Sequence, residues 1–241
     1  MVRERDPKTL ERLVDAALRA FIEDGYRRTK VARIARDAGI APGTVYLYVE
    51  GKEALFELAL RRAFLVPDTL DVDLPYRGAP LESRLGEIWE RLMATEPLAR
   101  LAEAEATDAP EDPAAEFEAL LKGVFRWQAR YWRGIALIES CAREWPELFL
   151  LFYRRFRREA LERAARHLER RASTGHYRAF SDPRAAAYLI MENIGAFAMT
   201  RHLAPDIPEV SDELAERTVV EVLVAAFVPG GPERLGARGR S

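Results

Sequence analysis

Apolar residues recur three and four positions apart along nearly the whole chain, and no stretch alternates strictly, so the pattern predicts helices and no sheet. Asp6 can cap a first helix with Pro7 at its first position. Leu10, Val14, Ala17 and Phe21 form its apolar stripe, and Gly25 ends it. Thr29 can cap a short second helix carrying Val31, Ile34, Ala35 and Ala38, which Gly39 breaks. A third short helix is expected from Pro42 to Val49. A fourth follows Gly51, with Leu55, Phe56, Ala59 and Leu60 inward.

After Phe64 the texture changes. Pro67, Pro75, Gly78 and Pro80, with three Asp, predict a linker or loop over residues 66–80. Helices resume over about 81–93 and 97–106, and an acidic loop spans 107–113. Longer helices are expected over about 114–144, 146–173, 182–202 and 209–227. The tail from Pro229 carries no apolar pattern and is expected to be disordered. The expected fold class is therefore all-α: a helix-turn-helix head over 1–66, a larger helical body over 67–228, and a tail over 229–241.

Composition narrows the setting. Apolar residues make up 49% of the 241 positions, enough for a core, and charged residues 32%. The one cysteine, Cys141, cannot form an internal disulfide, which suits a reducing compartment. No leader pattern and no apolar run near 20 residues is found, so a cytoplasmic chain without membrane contact is expected. The net charge of −2 is unevenly spread: residues 1–62 carry 13 basic and 10 acidic side chains, the remainder 24 and 29. A basic head on an acidic body fits contact with phosphate at the head alone.

The third helix carries the chemistry. A short helix opened by Pro42 and Gly43 and rich in tyrosine has poor intrinsic propensity, so another demand selects those residues. Two short helices joined by a tight turn can present one of them to a major groove. Gly39 suits that turn, and Ile40 can plug the small core beside it. Val45 and Val49 can face inward. Gly43 permits close backbone approach, and Thr44 can donate to phosphate or touch a thymine methyl. Tyr46 and Tyr48 can stack on sugars or bond phosphate. Lys52 stands at the N-terminus of the fourth helix, where charge and helix end both favour phosphate.

The segment TKVARIARDAGIAPGTVYLYVEGKEALF, residues 29–56, resembles the DNA-binding head of the TetR family of bacterial regulators, and AFIEDGY at 20–26 fits the same head. The resemblance covers about residues 8–64. It implies that Thr29 and Lys30 meet phosphate, that Pro42, Gly43, Thr44, Tyr46 and Tyr48 lie on the recognition helix, and that Lys52 holds phosphate. Arg33, near the surface of the support helix, is a further contact to weigh. Val49, Lys30 and Gly51 depart from the family's usual residues, which makes its base preference less transferable.

For the body the resemblance is general: it implies a variable helical domain that binds a small molecule and forms a homodimer. Residues 182–202 and 209–227 are the expected dimer helices, with Val219, Val220, Leu223, Val224 and Phe227 either on that interface or in the core. Trp127, Tyr131, Phe152, Met191 and Phe197 are candidates to line an effector cavity, or are simply core. Arg126, Arg130 and Arg133 lie among them, so an amphipathic ligand with an acidic end, such as an acyl thioester, is expected to fit. The arginines of 146–173 are expected to pair along their own helix at i,i+4 spacing.

No catalytic constellation is found. His167, His176 and His202 are not at metal-ligand spacing with each other or with Cys141, and no phosphate loop or nucleophile motif occurs. No cofactor is expected. The expected partners are a palindromic duplex operator, an unidentified small effector and a second copy of the chain. The resemblance implies repression relieved by ligand. A ligand-dependent activator, or a helical adaptor without DNA binding, are the alternatives.

Overall fold

A computed structural model of the chain describes residues 6–64, 70–79, 86–87, 90, 93–107, 109–203 and 210–230. Helices dominate, and the described residues include no strand, only one isolated bridge between Val49 and Tyr76. None of these helices is long and apolar enough to cross a membrane. The expected helix over 81–93 and the tail from 231 lie largely or wholly outside the described residues.

The described residues form two compact units, one within 1–90 and 133–154, the other within 91–132 and 155–241. This division differs from a linear head and body. The reason is one long helix, α6 (Pro113–Ala142), whose last third belongs with the head. Near the change of unit Tyr131 leaves helical geometry, at φ −107° and ψ 17°.

The first unit is built on α1 (Pro7–Asp24), α2 (Val31–Asp37), α3 (Pro42–Val45) and α4 (Lys52–Ala63). Asp6 caps α1 by accepting from the Lys8 N–H at 3.0 Å, and Pro7 occupies a position whose N–H would go unpaired. The stripe of Leu10, Val14, Ala17 and Phe21 is buried, and α1 packs against α2 and α4. Phe21, Tyr26, Phe56 and Trp145 then stack with ring centroids 4.7–5.8 Å apart, joining the C-terminal ends of α1 and α6 to α4. Gly134 is required there: a Cβ would stand 2.8 Å from the Phe64 ring. Ser140 donates to the Ile22 carbonyl at 2.7 Å, and Glu144 accepts the Arg27 N–H at 2.6 Å. Cys141 is buried here, and burial pushes its thiol up to about 12, far from thiolate chemistry.

The second unit holds α5 (Glu96–Ala106), the first part of α6, α8 (Arg158–Ser173), α9 (Pro183–Gly195) and α10 (Asp212–Phe227). The expected single helix over 146–173 is instead α7 (Pro146–Phe149), a π-helical stretch Leu150–Arg157, and α8. The wider turn accommodates Leu151 and Phe156, five apart and both buried. Asp182 caps α9 as expected, accepting from Arg184 and Ala185, and a second π-helical turn, Ala196–Thr200, extends it.

Of the two placements expected for Val219, Val220, Leu223, Val224 and Phe227, the core is the one seen: all five are buried within the chain, packed with Phe117, Ile194 and Tyr177. They are unavailable to a second copy. Exposed apolar side chains on these elements include Leu214 and Val222 on α10 and Tyr188, Leu189 and Phe197 on α9 and its extension. The arginines of 154–171 also pair largely away from their own helix: Arg157 with Glu192, Arg163 with Glu105, and Arg171 with Glu116. Only Arg158–Glu162, at 3.8 Å, keeps the expected i,i+4 form among the pairs seen there.

Arg171 is the largest fully buried side chain. It forks onto Glu116 at 2.9 and 2.7 Å, and its remaining donors reach the Thr107 and Ala104 carbonyls at 3.0 and 2.9 Å. Tyr177 adds a hydrogen bond to Glu116 at 2.8 Å. Burial alone would raise the Glu116 carboxyl. Hydrogen bonds from His167, Arg171 and Tyr177 outweigh it and hold the group at about 2. A depressed carboxyl stabilises the fold above its ordinary value of 4.5, and that contribution is lost as pH falls towards 2. Glu116→Gln leaves the guanidinium buried without its counter-charge and is expected to cost about 3–5 kcal/mol. Calorimetric Tm against pH checks this: the variant's Tm should fall, and its acid limb below pH 4.5 should flatten relative to the wild type.

Candidate functional site

The turn between α2 and α3 is made where the sequence places it. Gly39 adopts φ 71°, a left-handed backbone that glycine takes at little cost. The Ile40 N–H closes α2 onto the Ala35 carbonyl at 2.9 Å, and the Thr44 N–H starts α3 on the Ala41 carbonyl at 2.9 Å. The helix itself is shorter than expected. It holds Pro42–Val45, and residues 46–48 continue as tight turns, with Leu47 and Tyr48 N–H groups bonded three residues back. Val45 and Val49 are buried. The exposed face therefore comprises Pro42, Gly43, Tyr46 and Leu47, with Thr44 half-buried beside it. Open space lies where a Gly43 side chain would be.

The two tyrosines are not offered equally. Tyr46 is 55% exposed and Leu47 41%, whereas Tyr48 is 5% exposed and belongs to the core. Val45, Tyr48 and Val49 stand at i, i+3 and i+4, the spacing of one helical face, and the Val49 N–H bonds the Val45 carbonyl at 3.0 Å, so Tyr48 is buried with the two valines. Leu47 falls on the opposite side and is exposed despite its apolarity.

The predicted phosphate contacts divide in the same way. Lys30 precedes α2 as its N-cap residue, and its side chain is exposed. Thr29 is buried, and its hydroxyl faces the Gly25 and Ala20 carbonyls at 2.6 and 3.0 Å. It ties the α1–α2 connection and has no hydroxyl left to offer phosphate. Lys52 is half-buried, donates to the Arg27 carbonyl at 3.3 Å and lies 4.5 Å over the Tyr26 ring; burial lowers its pKa. Two of its donors stay uncommitted among these contacts. Arg33 is engaged by Glu23, Asp24 and Asp37, which draws it away from a ligand. Arg27, Arg28 and Arg36 are exposed around Lys30 and α2, and the sequence reading passed over them because arginine occurs everywhere in this chain.

Part of the expected linker belongs to this site. The Tyr76 N–H donates to the Tyr48 carbonyl at 2.7 Å, and its carbonyl accepts from the Glu50 N–H at 2.9 Å. The Tyr76 hydroxyl and the Ala79 N–H both donate to Glu57, a carboxylate buried on α4. Residues 76–79 are thus a strap that fastens the end of the recognition helix to α4.

In the second unit a cavity of about 130 Å³ opens between α5, α6, α8 and α9. Phe117, Leu121, Phe156, Leu168 and Ile190 give it an apolar wall, together with Trp127 and Met191, which the sequence reading proposed. Tyr131, Phe152 and Phe197 do not line it. Tyr131 stacks beside Trp127 and under Arg130, Phe152 is buried against Tyr153 in the other unit, and Phe197 faces outward. Among the described residues no arginine or lysine lines it. Arg126 instead forks onto Glu216 at 2.9 Å, so it does not serve the expected recognition of an acidic ligand end. Three lining side chains are polar and buried, Thr95, Gln128 and His167, and among the described residues Gln128 Oε1 and His167 Nδ1 have no hydrogen-bond partner. Each such buried group costs about 1–3 kcal/mol. The sequence reading gave them no role. Gln128 is the chain's only glutamine, and that was the available signal.

Comparison with known proteins bears on the head most directly. Residues 13–59 match the family described as bacterial regulatory proteins, tetR family. The fatty acid metabolism regulator protein of Bacillus subtilis (strain 168) is 40% identical over 52 residues, 22% of this chain and 26% of that protein. The HTH-type transcriptional regulator HbdR of Aromatoleum sp. (strain CIB) is 34% identical over 92 residues, 35% of this chain and 39% of that one. The chain thus spans well under half the length of these relatives. Over nearly its whole length it shares a fold with the ketosteroid transcriptional regulator KstR2 of Mycobacterium tuberculosis, with a TM-score of 0.58, 16% identity and coverage of 95% and 97%. A tetR-family regulatory protein from Rhodococcus RHA1 gives a TM-score of 0.51 at 19% identity, covering 90% and 96%.

The geometry of Thr29 separates a fold role from a contact role. Thr29→Val, which keeps the shape and removes the hydroxyl, is expected to destabilise the protein by about 1–3 kcal/mol. Denaturant midpoints measure this, and an unchanged midpoint would show the two carbonyl contacts to be unimportant.

Proposed function

We propose, from the match of residues 13–59 to the family described as bacterial regulatory proteins, tetR family, that this chain is a DNA-binding transcriptional regulator. It acts as a homodimeric repressor that leaves a palindromic operator when a small molecule fills the body cavity. The observation that carries the reading is the outward face of Pro42, Gly43, Tyr46 and Leu47 on a helix too short to serve as ordinary packing. Gly43 lets the backbone approach a base edge. Thr44 and Tyr46 offer hydroxyls to phosphate or bases, and Leu47 offers an apolar contact to a thymine methyl. Lys30, Arg27, Arg28 and the free donors of Lys52 supply the phosphate contacts around it.

One such face reads few base pairs, so useful specificity needs two, about 34–36 Å apart on successive major grooves. The pairing surface is the exposed row on α9 and α10, centred on Leu189 and Val222, the latter 62% exposed. The effect of the ligand passes to the head through α6, which carries Trp127 and Gln128 on the cavity wall and Ser140 on the head, with the non-helical Tyr131 between them. Its effect is limited to the ligand's differential affinity for the DNA-competent and released states.

The head assignment is tested by selecting duplex DNA on the full chain from a random pool and then comparing Tyr46→Ala. Because Tyr46 is exposed, the variant should fold normally and lose about tenfold or more in affinity, the cost of one good contact to a base. Unchanged affinity would reject the recognition face. The dimer surface has its own test. Val222→Glu should shift sedimentation from dimer to monomer with the fold intact, and a dimer that survives this change places the interface elsewhere.

A further inference from the structure

We propose that the body cavity selects a compact, uncharged apolar molecule bearing one hydroxyl, a phenol or a short alcohol, through Gln128 and His167. The inference deepens the effector reading above and rests on it. Three features of the wall lead to this class.

The first is size and polarity. An engineered cavity of about 150 Å³ lined by apolar side chains holds one benzene ring, so about 130 Å³ suits a single ring or a short chain. The wall is aromatic and aliphatic, with Phe117, Phe156, Leu121 and Ile190 around Trp127. The second is charge. Among the described residues no arginine or lysine lines the cavity. The nearest guanidinium in the hydrogen-bond network, Arg171, has its donors committed to Glu116, Thr107 and Ala104. A carboxylate or phosphate would enter without a counter-ion, which an apolar enclosure opposes.

The third is the pair of unpartnered buried acceptors. His167 is 3% exposed, and its Nε2 lies 3.5 Å from the Tyr177 hydroxyl and 3.6 Å from Glu116 Oε1. Tyr177 spends its own proton on Glu116, so both neighbours of Nε2 present acceptors. In the tautomer that these neighbours favour the proton sits on Nε2, and Nδ1 is the acceptor. Gln128 Oε1, on a side chain 8% exposed and drawn close to α9 beside Gly195, is the other acceptor without a donor. A ligand with one hydroxyl proton satisfies one of the two acceptors at a time, and each acceptor present adds to its preference over a ligand that only accepts.

The full-length protein is titrated by calorimetry with p-cresol against toluene and 4-methylanisole, and with 1-hexanol against dipropyl ether. Benzoate serves as the charged probe. The hydroxyl compounds should bind about tenfold more tightly than their partners, the worth of one net hydrogen bond. Whichever of p-cresol and 1-hexanol binds more tightly separates an aromatic from an aliphatic source. Gln128→Leu and His167→Leu should each reduce the preference while toluene still binds, which shows the cavity intact. Gln128→Leu lies outside the Glu116 network and decides the matter alone where the His167 variant does not fold.

Equal affinity for p-cresol and toluene, tighter binding of benzoate, binding of no probe, or a preference undiminished in Gln128→Leu overturns the proposal. The same probes are added to the protein–DNA complex. Selective binding that leaves DNA affinity unchanged upholds the ligand class and rejects the effector role. DNA release without hydroxyl selectivity does the reverse.

Discussion

A four-residue helix cannot stabilise itself. The first turn of a helix fixes several backbone angles for one hydrogen bond, and α3 ends there. Its position is held from outside, by Val45, Tyr48 and Val49 sunk into the head core and by the Tyr76 main chain paired to Tyr48 and Glu50. That dependence explains why a glycine turn, a buried tyrosine and a strap from beyond α4 belong to one site. It also explains why Thr29 and Lys52 are used inward. The connection that sets α2 against α1 must be rigid before α3 can be placed.

The body meets a different constraint. Arg171 and Glu116 are charges taken out of water, tolerated because nearly every donor and acceptor is matched. His167 stands where that network ends and the dry wall of the cavity begins. One side of its ring is turned to the charges and the other nitrogen has no partner. Stability and recognition therefore share a residue. Saturating the second nitrogen from within would have strengthened the fold and removed a group a ligand can use.

Periodicity reports which residues of a helix share a face, and it served well where helices were long and ended by clear signals. Asp6 and Pro7 at the start of α1, Gly39 in the turn and Asp182 before α9 all stand where the sequence places them. Periodicity misleads where the local winding changes. Residues 146–173 break into three segments because of a π-helical stretch. It is also silent on what lies opposite a face. Val219, Val220, Leu223, Val224 and Phe227 were correctly seen as one wide apolar surface, yet whether a second copy or the same chain covers it is a long-range fact.

The sequence by itself determined the all-helical class, the helix-turn-helix register around Gly39 and the outward placement of Pro42, Gly43 and Tyr46, because caps, glycine and helical spacing act between near neighbours. It also pointed to Trp127 and Met191 on the cavity wall. Only the tertiary structure decided that Thr29 and Tyr48 face inward, that Glu57 anchors a strap, that Arg171 is buried on Glu116, and that Gln128 and His167 line a cavity with acceptors to spare. Apart from Thr29, which bonds the nearby Ala20 and Gly25 carbonyls, those are meetings of residues tens of positions apart. Burial and hydrogen-bond satisfaction belong to such meetings, and no spacing along the chain encodes them.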